Sequence, residues 1–183
     1  MLETLKKEEI KVLFSEESIA QRVSELAEQI SNDYQDVESL TVVGVLKGSF
    51  MFTADLVRRL KIPCQLEFIR LSSYDDSTES SGKIKAVDLS LPSLEGKDVL
   101  IIEDIVDSGR TAKFLQDYFK TQVEAKSCKM AALFDKPCRR IPELKELSAE
   151  YVGFEIEDHF IVGYGLDFSQ KFRELPYVGF IEV

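Results

Sequence analysis

Cysteine is scarce in this sequence, and its placement excludes two kinds of stabilisation. The three cysteines, Cys64, Cys128 and Cys138, are odd in number, widely spaced and without a CxxC pair. A disulfide framework needs an even set of paired cysteines, and a structural zinc site usually shows closely spaced pairs. We therefore expect three reduced thiols.

Long apolar runs are also missing. No run approaches the roughly 20 apolar residues that a membrane-spanning helix needs. The opening segment, MLETLKKEEIK, lacks the apolar core of a secretory signal. We therefore expect a cytoplasmic protein that does not contact a membrane.

Positive charge is in short supply. The chain has 23 lysines and arginines against 33 aspartates and glutamates, which gives a net charge of −10. Basic residues run together only at 6–7, 58–61 and 139–140. An acidic protein repels a polyanion, so nucleic acid is not an expected partner. A small phosphorylated ligand remains compatible with this charge, because backbone amides, a few cations and a bound metal can reverse the field in one cleft.

Short apolar strands are the commonest feature of the remaining sequence. With 183 residues and a hydrophobic fraction of 44%, the chain has the size and composition of one globular domain, residues 1–183. Apolar and β-branched runs predict strands at 40–46, 64–70, 83–89, 99–102, 129–134, 151–154 and 177–181.

Three helices are predicted between these strands. The first begins after Ser15 or Ser18, either of which can cap it, and the others follow Gly48 and Gly109. The expected buried faces are Ile19, Val23, Leu26, Ala27 and Ile30 in the first helix, and Phe50, Ala54 and Val57 in the second. This alternation predicts an α/β protein with a mostly parallel sheet, helices on both faces and ligands beyond the carboxyl ends of the strands.

A polar stretch, residues 72–82, interrupts the pattern. It has too little apolar content to pack, yet it contains Tyr74. Such a composition is typical of a mobile surface loop or an active-site lid rather than of an interdomain linker. A solvated hairpin tip is the plainer alternative.

Residues 99–111 are the most informative segment. An apolar strand leads into the carboxylates Glu103, Asp104 and Asp107, and a turn of small residues then opens a helix. Backbone N–H groups of such a turn can surround a phosphate at the positive end of the helix. The acids at the strand end can accept hydrogen bonds from ribose hydroxyls or support a magnesium-water shell. The segment therefore predicts a site for a sugar phosphate.

Residues 103–111, with the strand before them, resemble the phosphoribosyl pyrophosphate signature of type I phosphoribosyltransferases. Four other segments, 46–49, 73–74, 135–137 and 159–167, resemble the hypoxanthine-guanine phosphoribosyltransferase family and occur in the family's order. The resemblance extends through residues 168–179. It implies the type I phosphoribosyltransferase fold, with a small hood over the cleft, to which about residues 151–183 contribute, and a flexible lid at 72–82.

The resemblance also implies roles for individual residues. Asp107 is implied as the general base that accepts the purine ring proton. Lys136 would bind the 6-oxo group, Phe160 would stack on the purine, and Ile161 would contact it through its backbone, with Asp167 also at the purine site. Glu103, Asp104 and Asp167 would hold Mg²⁺. The implied phosphoribosyl pyrophosphate ligands are Lys47, Gly48, Ser73, Tyr74, Glu103, Asp104, Asp107, Ser108, Gly109, Arg110, Thr111 and Arg173.

Some positions are left without an implied role or depart from the family. Lys47 matches a position that follows a cis peptide bond. The lone histidine, His159, is interpreted as incidental because the family does not require it, and Arg139 and Arg140 have no assigned role. Residues 75–79 make the lid acidic, which is unfavourable beside a pyrophosphate unless the carboxylates face solvent or approach through magnesium.

The predicted activity is transfer of a phosphoribosyl group from phosphoribosyl pyrophosphate to a 6-oxopurine, hypoxanthine or guanine, by a magnesium-dependent homodimer or homotetramer. Three alternatives stay open at this point. One is transfer to xanthine, adenine or a pyrimidine, and a second is a nucleotide-sensing, RNA-binding regulator on the same fold. The third is a doubly wound domain in which Asp104 and Asp107 are phospho-acceptor or metal-binding acids without transferase activity.

Overall fold

The structure is a computed structural model that describes residues 10–73 and 84–181. It contains three helices, α1 (Glu16–Asp33), α2 (Phe50–Val57) and α3 (Arg110–Thr121), and two single 3-10 turns, Pro137–Arg139 and Pro142–Leu144. The strands are β1 (Lys11–Phe14), β2 (Leu40–Leu46), β3 (Cys64–Ser73), β4 (Ile84–Asp88), β5 (Asp98–Val106), β6 (Ser127–Asp135), β7 (Tyr151–Glu155), β8 (Phe160–Val162) and β9 (Val178–Ile181).

Six strands form the main sheet, in the order β4-β3-β2-β5-β6-β7. Neighbours from β3 to β7 are parallel, and only the edge strand β4 is antiparallel. The central strands are covered on both faces, which is why β2 and β5 are nearly continuous apolar runs rather than alternating ones. The prediction of a mostly parallel sheet is confirmed.

Helices cover both faces of this sheet, as predicted. α1 and α2 share an apolar core with one face, and α3 packs in a second core on the other. The Ser15 side chain caps α1 by accepting a hydrogen bond from the backbone N–H of Ser18 at 3.2 Å. The predicted apolar face of α1 is buried: Ile19, Val23, Leu26, Ala27 and Ile30.

The buried face of α2 differs from the prediction. Phe52, Thr53 and Leu56 are buried, whereas Phe50 and Ala54 are exposed. The helix is apolar almost all round, so periodicity alone does not select a face. Ser49 settles the orientation: its buried hydroxyl donates to the Val45 carbonyl oxygen at 2.6 Å and lies 3.4 Å from the Thr53 hydroxyl.

A second, antiparallel sheet has the order β1-β9-β8. The hood was predicted to include residues from about 151 onward, but residues 151–155 form β7 and extend the main sheet instead. The small sheet begins at β8 and takes its other edge from the start of the described chain. None of the three described helices is long and apolar enough to span a bilayer.

Candidate active site

A cleft of about 680 Å³ lies at the carboxyl ends of β2, β3 and β5. It is bordered by the turn after β2, the turn between β5 and α3, and the loop that precedes β9. This is the edge of the sheet where the sequence places ligands. Predicted site residues that line the cleft are Lys47, Gly48, Glu103, Asp104, Asp107, Ser108, Gly109, Thr111, Asp167 and Arg173.

The turn into α3 has the form expected of an anion site. Gly109, at the helix N-cap, has φ +85°, in the left-handed region that a glycine adopts without strain. The first-turn N–H groups of α3 have no partner within the helix and lie at its positive end. Ser108 and Thr111 face the cleft, whereas Arg110 is exposed and outside its lining. The structure therefore brings together all of the predicted turn except the Arg110 side chain.

The turn after β2 closes tightly against β5. The Leu46–Lys47 peptide is cis, as the resemblance implied. A Cβ atom at Gly48 would overlap the Asp104 carboxylate, so only glycine fits between the two strands without displacement. Lys47 extends across the cleft, where its Nζ donates to Gln170 Oε1 at 3.2 Å.

Two acids of β5 lie in an environment that disfavours their charged form. β5 continues beyond the predicted 99–102, so Glu103 and Asp104 lie within the strand and not after it. Burial, with a further contribution from the Asp104 charge, raises the pKa of Glu103 well above its ordinary value. Burial also raises the pKa of Asp104 to about 6, although its Oδ1 accepts a hydrogen bond from the Ile105 N–H at 2.8 Å. Both shifts arise because a charged carboxylate loses hydration.

These acids fit a magnesium site that substrate and water complete. Glu103 Oε1 is buried and has no hydrogen-bond partner among the described residues, and the Asp104 carboxylate borders the cleft. Within residues 10–73 and 84–181, no three His, Cys, Asp or Glu side chains are clustered to hold a metal by themselves. Mg²⁺ commonly binds through one or two carboxylates and keeps waters or substrate phosphates as its other ligands. The donor set suits that mode and not an all-protein cage.

Asp167 lies on the same cleft, opposite β5. Its Oδ1 is 2.6 Å from Arg173 Nη2, and its Oδ2 accepts from the Gln170 N–H at 2.8 Å. Arg173 also donates to the Gly165 carbonyl oxygen at 2.7 Å, which fixes the loop. The resemblance placed Asp167 with both purine and metal. The structure brings it to the cleft with Asp104 and not to the cavity described next.

A second cavity, of about 530 Å³, adjoins the first and shares Asp107 with it. Lys136 is only 7% exposed, and its Nζ donates to the His159 carbonyl oxygen and lies 3.8 Å from Asp158 Oδ1. Phe160 is 45% exposed and presents a flat apolar wall. The cavity therefore combines a nearly buried cation, an aromatic face and a carboxylate.

The other predicted residues lie near these cavities or outside the described part. Ile161 is buried beside the second cavity and pairs with Phe180, which lines it. Ser73 ends β3. Tyr74, and with it most of the predicted lid at 72–82, lies outside the described residues.

Several lining residues were missed. Arg70 and Gln170 line the first cleft, and Arg139 and Phe180 line the second. Arg70 had a usable signal, because it is a charged residue at the carboxyl end of a predicted strand. Phe180 had none, since an aromatic residue in an apolar run indicates core.

The raised pKa of Glu103 makes a testable prediction about stability. In metal-free buffer the native state binds the Glu103 proton more tightly than the unfolded chain does, because the pKa of Glu103 is near 4.5 in the unfolded chain. The contribution of Glu103 to stability is therefore greatest below that pH and falls as the pH rises through the folded pKa. We expect Glu103→Gln to raise the Tm at pH 8 and to have a shrinking effect as the pH approaches 4.5.

Thermal unfolding across this pH range measures the effect. Glu95→Gln, at an exposed position, is the matched control and should show no such pH-dependent gain. A Tm of Glu103→Gln below that of the unmodified protein at pH 8 would mean that the ionised Glu103 has a native partner.

Comparison with known proteins agrees with the geometry. A model of the phosphoribosyl transferase domain matches residues 10–169. A hypoxanthine-guanine phosphoribosyltransferase of Bacillus subtilis is 45% identical over 172 residues, which cover 94% of this chain and 93% of the relative. The crystal structure of a hypoxanthine-guanine phosphoribosyltransferase from Bacillus anthracis is 46% identical with a TM-score of 0.87, covering 95% of this chain and 100% of that one.

A hypoxanthine phosphoribosyltransferase structure from Staphylococcus aureus has a TM-score of 0.88 at 38% identity, covering 100% of this chain and 97% of that one. The predicted fold is confirmed by these neighbours. The chain belongs to the hypoxanthine-guanine phosphoribosyltransferase family of purine-salvage enzymes.

Proposed function

We propose that this protein transfers the 5-phosphoribosyl group from phosphoribosyl pyrophosphate to hypoxanthine or guanine, giving IMP or GMP and pyrophosphate. The observation that carries the proposal is the meeting of two cavities at Asp107. One has an anion-binding turn, acids and cations, as a sugar phosphate requires. The other has an aromatic wall and a nearly buried lysine, as a flat, oxygen-bearing base requires.

The first cleft would bind phosphoribosyl pyrophosphate along its length. The turn 108–111 would hold the 5-phosphate against the start of α3. Glu103 and Asp104 would accept hydrogen bonds from the ribose hydroxyls, and Lys47 and Arg173 would contact the pyrophosphate. Leaving-group charge would thus develop at the cationic end of the cleft.

Magnesium would be bound on this side, by Asp104 and Asp167 and with Glu103 behind them. When bound, it neutralises charge on the pyrophosphate oxygens. Two observations support this proposal: Glu103 Oε1 has no hydrogen-bond partner in the part of the chain that the structure describes, and the donor set consists only of oxygen atoms. The homodimer or homotetramer that the family resemblance implies stays a prediction.

The second cavity would orient the base. Phe160 would stack on the purine ring, and Ile161 would contact it through backbone groups. Lys136 is a donor only, so it pairs with a 6-oxo group and is mismatched with the 6-amino group of adenine. Asp107, shared by both cavities, would accept the ring proton as the C–N bond to C1′ forms. The lid at 72–82 would exclude water from the reactive sugar.

Pyrophosphate release tests the proposal. We expect release from phosphoribosyl pyrophosphate with magnesium and hypoxanthine or guanine, and much less with adenine or uracil. Xanthine is assayed beside them, because discrimination at the purine 2-position depends on backbone geometry. Release only with xanthine, adenine or uracil would keep the fold and overturn the acceptor. No release with any base would favour the regulatory alternative, which a salt-sensitive RNA-binding assay then examines.

A further inference from the structure

The Arg140 guanidinium contacts the backbones of residues that line the two cavities, but Arg140 itself lines neither of them. Its side chain is 1% exposed, although it follows an exposed 3-10 turn. Arginine is rarely buried unless its charge is paired and its five N–H donors are satisfied. Such a residue therefore has a specific set of partners.

Those partners come from the loops after β5 and β6. Nη1 donates to the carbonyl oxygens of Val106 at 2.7 Å and Lys136 at 3.3 Å, and also to that of Asp107. Nε donates to the Leu147 carbonyl oxygen at 3.0 Å, which ties in the far end of the same β6–β7 connection. One nitrogen thus bridges the backbones of the proposed base and of the proposed 6-oxo ligand.

The charge of Arg140 is compensated within the same cluster. Nη2 forms an ion pair with Asp135 Oδ1, and the Asp135 side chain is 8% exposed. A buried charge without a partner is strongly destabilising, so Asp135 both permits the burial and orients the planar guanidinium. The side chain also lies beneath the anion turn, since its Cδ would be 3.1 Å from a Cβ atom at Gly109.

We propose that Arg140 is a positioning residue that keeps Asp107 and Lys136 in one fixed relation, so that both act on the same bound purine. The inference rests on the proposed function, because it assigns Asp107 and Lys136 to a common substrate. The two residues belong to different loops, which are also joined by the hydrogen bond from the Lys136 N–H to the Val106 carbonyl oxygen at 3.0 Å and by Arg139 Nε, 3.4 Å from Asp107 Oδ1. Arg140 differs from these contacts because its buried guanidinium donates to the carbonyl oxygens of both Asp107 and Lys136 from one nitrogen. A lysine here cannot reproduce the planar fork, because its donors radiate from one ammonium nitrogen.

The inference predicts an effect on turnover rather than on capture of the phosphorylated substrate. Arg140 has no surface in either cavity, so its replacement removes no ligand contact. Displacement of a catalytic group by about 1 Å can cost on the order of 100-fold in rate. We expect Arg140→Lys to lower kcat by roughly 10- to 100-fold, with the KM for phosphoribosyl pyrophosphate nearly unchanged.

The chain offers a matched control in Arg22. This partly buried arginine of α1 also holds two carbonyl oxygens, those of Val152 and Gly153, each at 2.8 Å. It lines neither cavity. Arg22→Lys makes the same chemical change, so we expect it to lower the Tm and to leave kcat and both KM values close to those of the unmodified protein.

Steady-state kinetics with hypoxanthine, together with the Tm, measure both variants. A folded Arg140→Lys protein with unchanged kcat would overturn the inference, as would an equal loss of kcat in Arg22→Lys at the same loss of Tm. If the unmodified protein releases no pyrophosphate, the proposed function fails and the inference fails with it. Equal kcat in the unmodified and Arg140→Lys proteins defeats the inference alone.

Asp135→Asn provides the test if Arg140→Lys does not fold. The asparagine oxygen can still accept from Arg140, but the charge that fixes the guanidinium plane is lost. We expect kcat to fall while the KM for phosphoribosyl pyrophosphate stays nearly constant. An unchanged kcat in folded Asp135→Asn would count against a positioning role.

Discussion

Asp107→Asn is expected to lower kcat by about 10²- to 10⁴-fold, the usual contribution of a positioned general base. Asparagine has nearly the same shape and can still accept a hydrogen bond, but it cannot take up the purine ring proton. Because asparagine keeps this shape, the ground-state contacts that Asp107 makes in both cavities should survive better than turnover. The KM for phosphoribosyl pyrophosphate should therefore change little, and initial rates at saturating substrates measure the loss.

Asp117→Asn is the control for the loss of one negative charge. Asp117 is an exposed residue of α3, where it pairs with Lys113 at 2.6 Å, and its replacement should leave kcat unaffected. An Asp107→Asn protein whose kcat and affinity for phosphoribosyl pyrophosphate fall by the same factor would indicate ligand positioning. In that case proton transfer must be assigned elsewhere.

Gly48→Ala is expected to reduce kcat/KM for phosphoribosyl pyrophosphate by on the order of 100-fold. The added methyl group would overlap the Asp104 carboxylate, so the carboxylate or the turn after β2 must move. Asp104 has little freedom to rotate, because its Oδ1 is held by the Ile105 N–H. Both displaced parts are proposed ligands of the same substrate, which is why a single methyl group should have a large effect.

Gly96→Ala separates this steric effect from a general loss of stability. At Gly96 a Cβ atom would meet no described residue within 4 Å, but φ is +69°, so alanine is strained there by about 1 kcal/mol. We expect Gly96→Ala to lower the Tm and to retain kcat/KM. Calorimetric binding of phosphoribosyl pyrophosphate to Gly48→Ala with unmodified affinity would contradict the tight fit at the cleft.

Patterns within the chain were sufficient for the main sheet. β2 and β5 were predictable because strands covered on both faces are continuous apolar runs in the sequence. The first helix was predictable because its apolar residues fall on one face. β1 and β8 were not predicted, because each has only three or four residues and is defined by pairing with β9, which is distant in sequence. Non-local hydrogen bonding of this kind leaves little trace in local periodicity.

The candidate site likewise has a part that could be predicted from the sequence and a part that could not. Asp107 and the small residues after it are adjacent in sequence, so their joint chemistry was readable. Arg140 was left unassigned because a pair of arginines in a loop is usually solvated. Its burial depends on carbonyl oxygens at the end of β5 and in the β6–β7 connection, and on Asp135, and only the folded chain brings these together.

The pairing of β1 with β9 sets an order of assembly during synthesis. β9 is made after every other described strand, and it supplies Phe180 and Ile181 to the wall of the second cavity. The anion turn and the acids of β5 are synthesised before β6, but Asp167 and Arg173 of the first cleft come only shortly before β9. Because a domain generally folds as a unit, we expect a ribosome-bound chain to complete neither cavity until β9 has emerged.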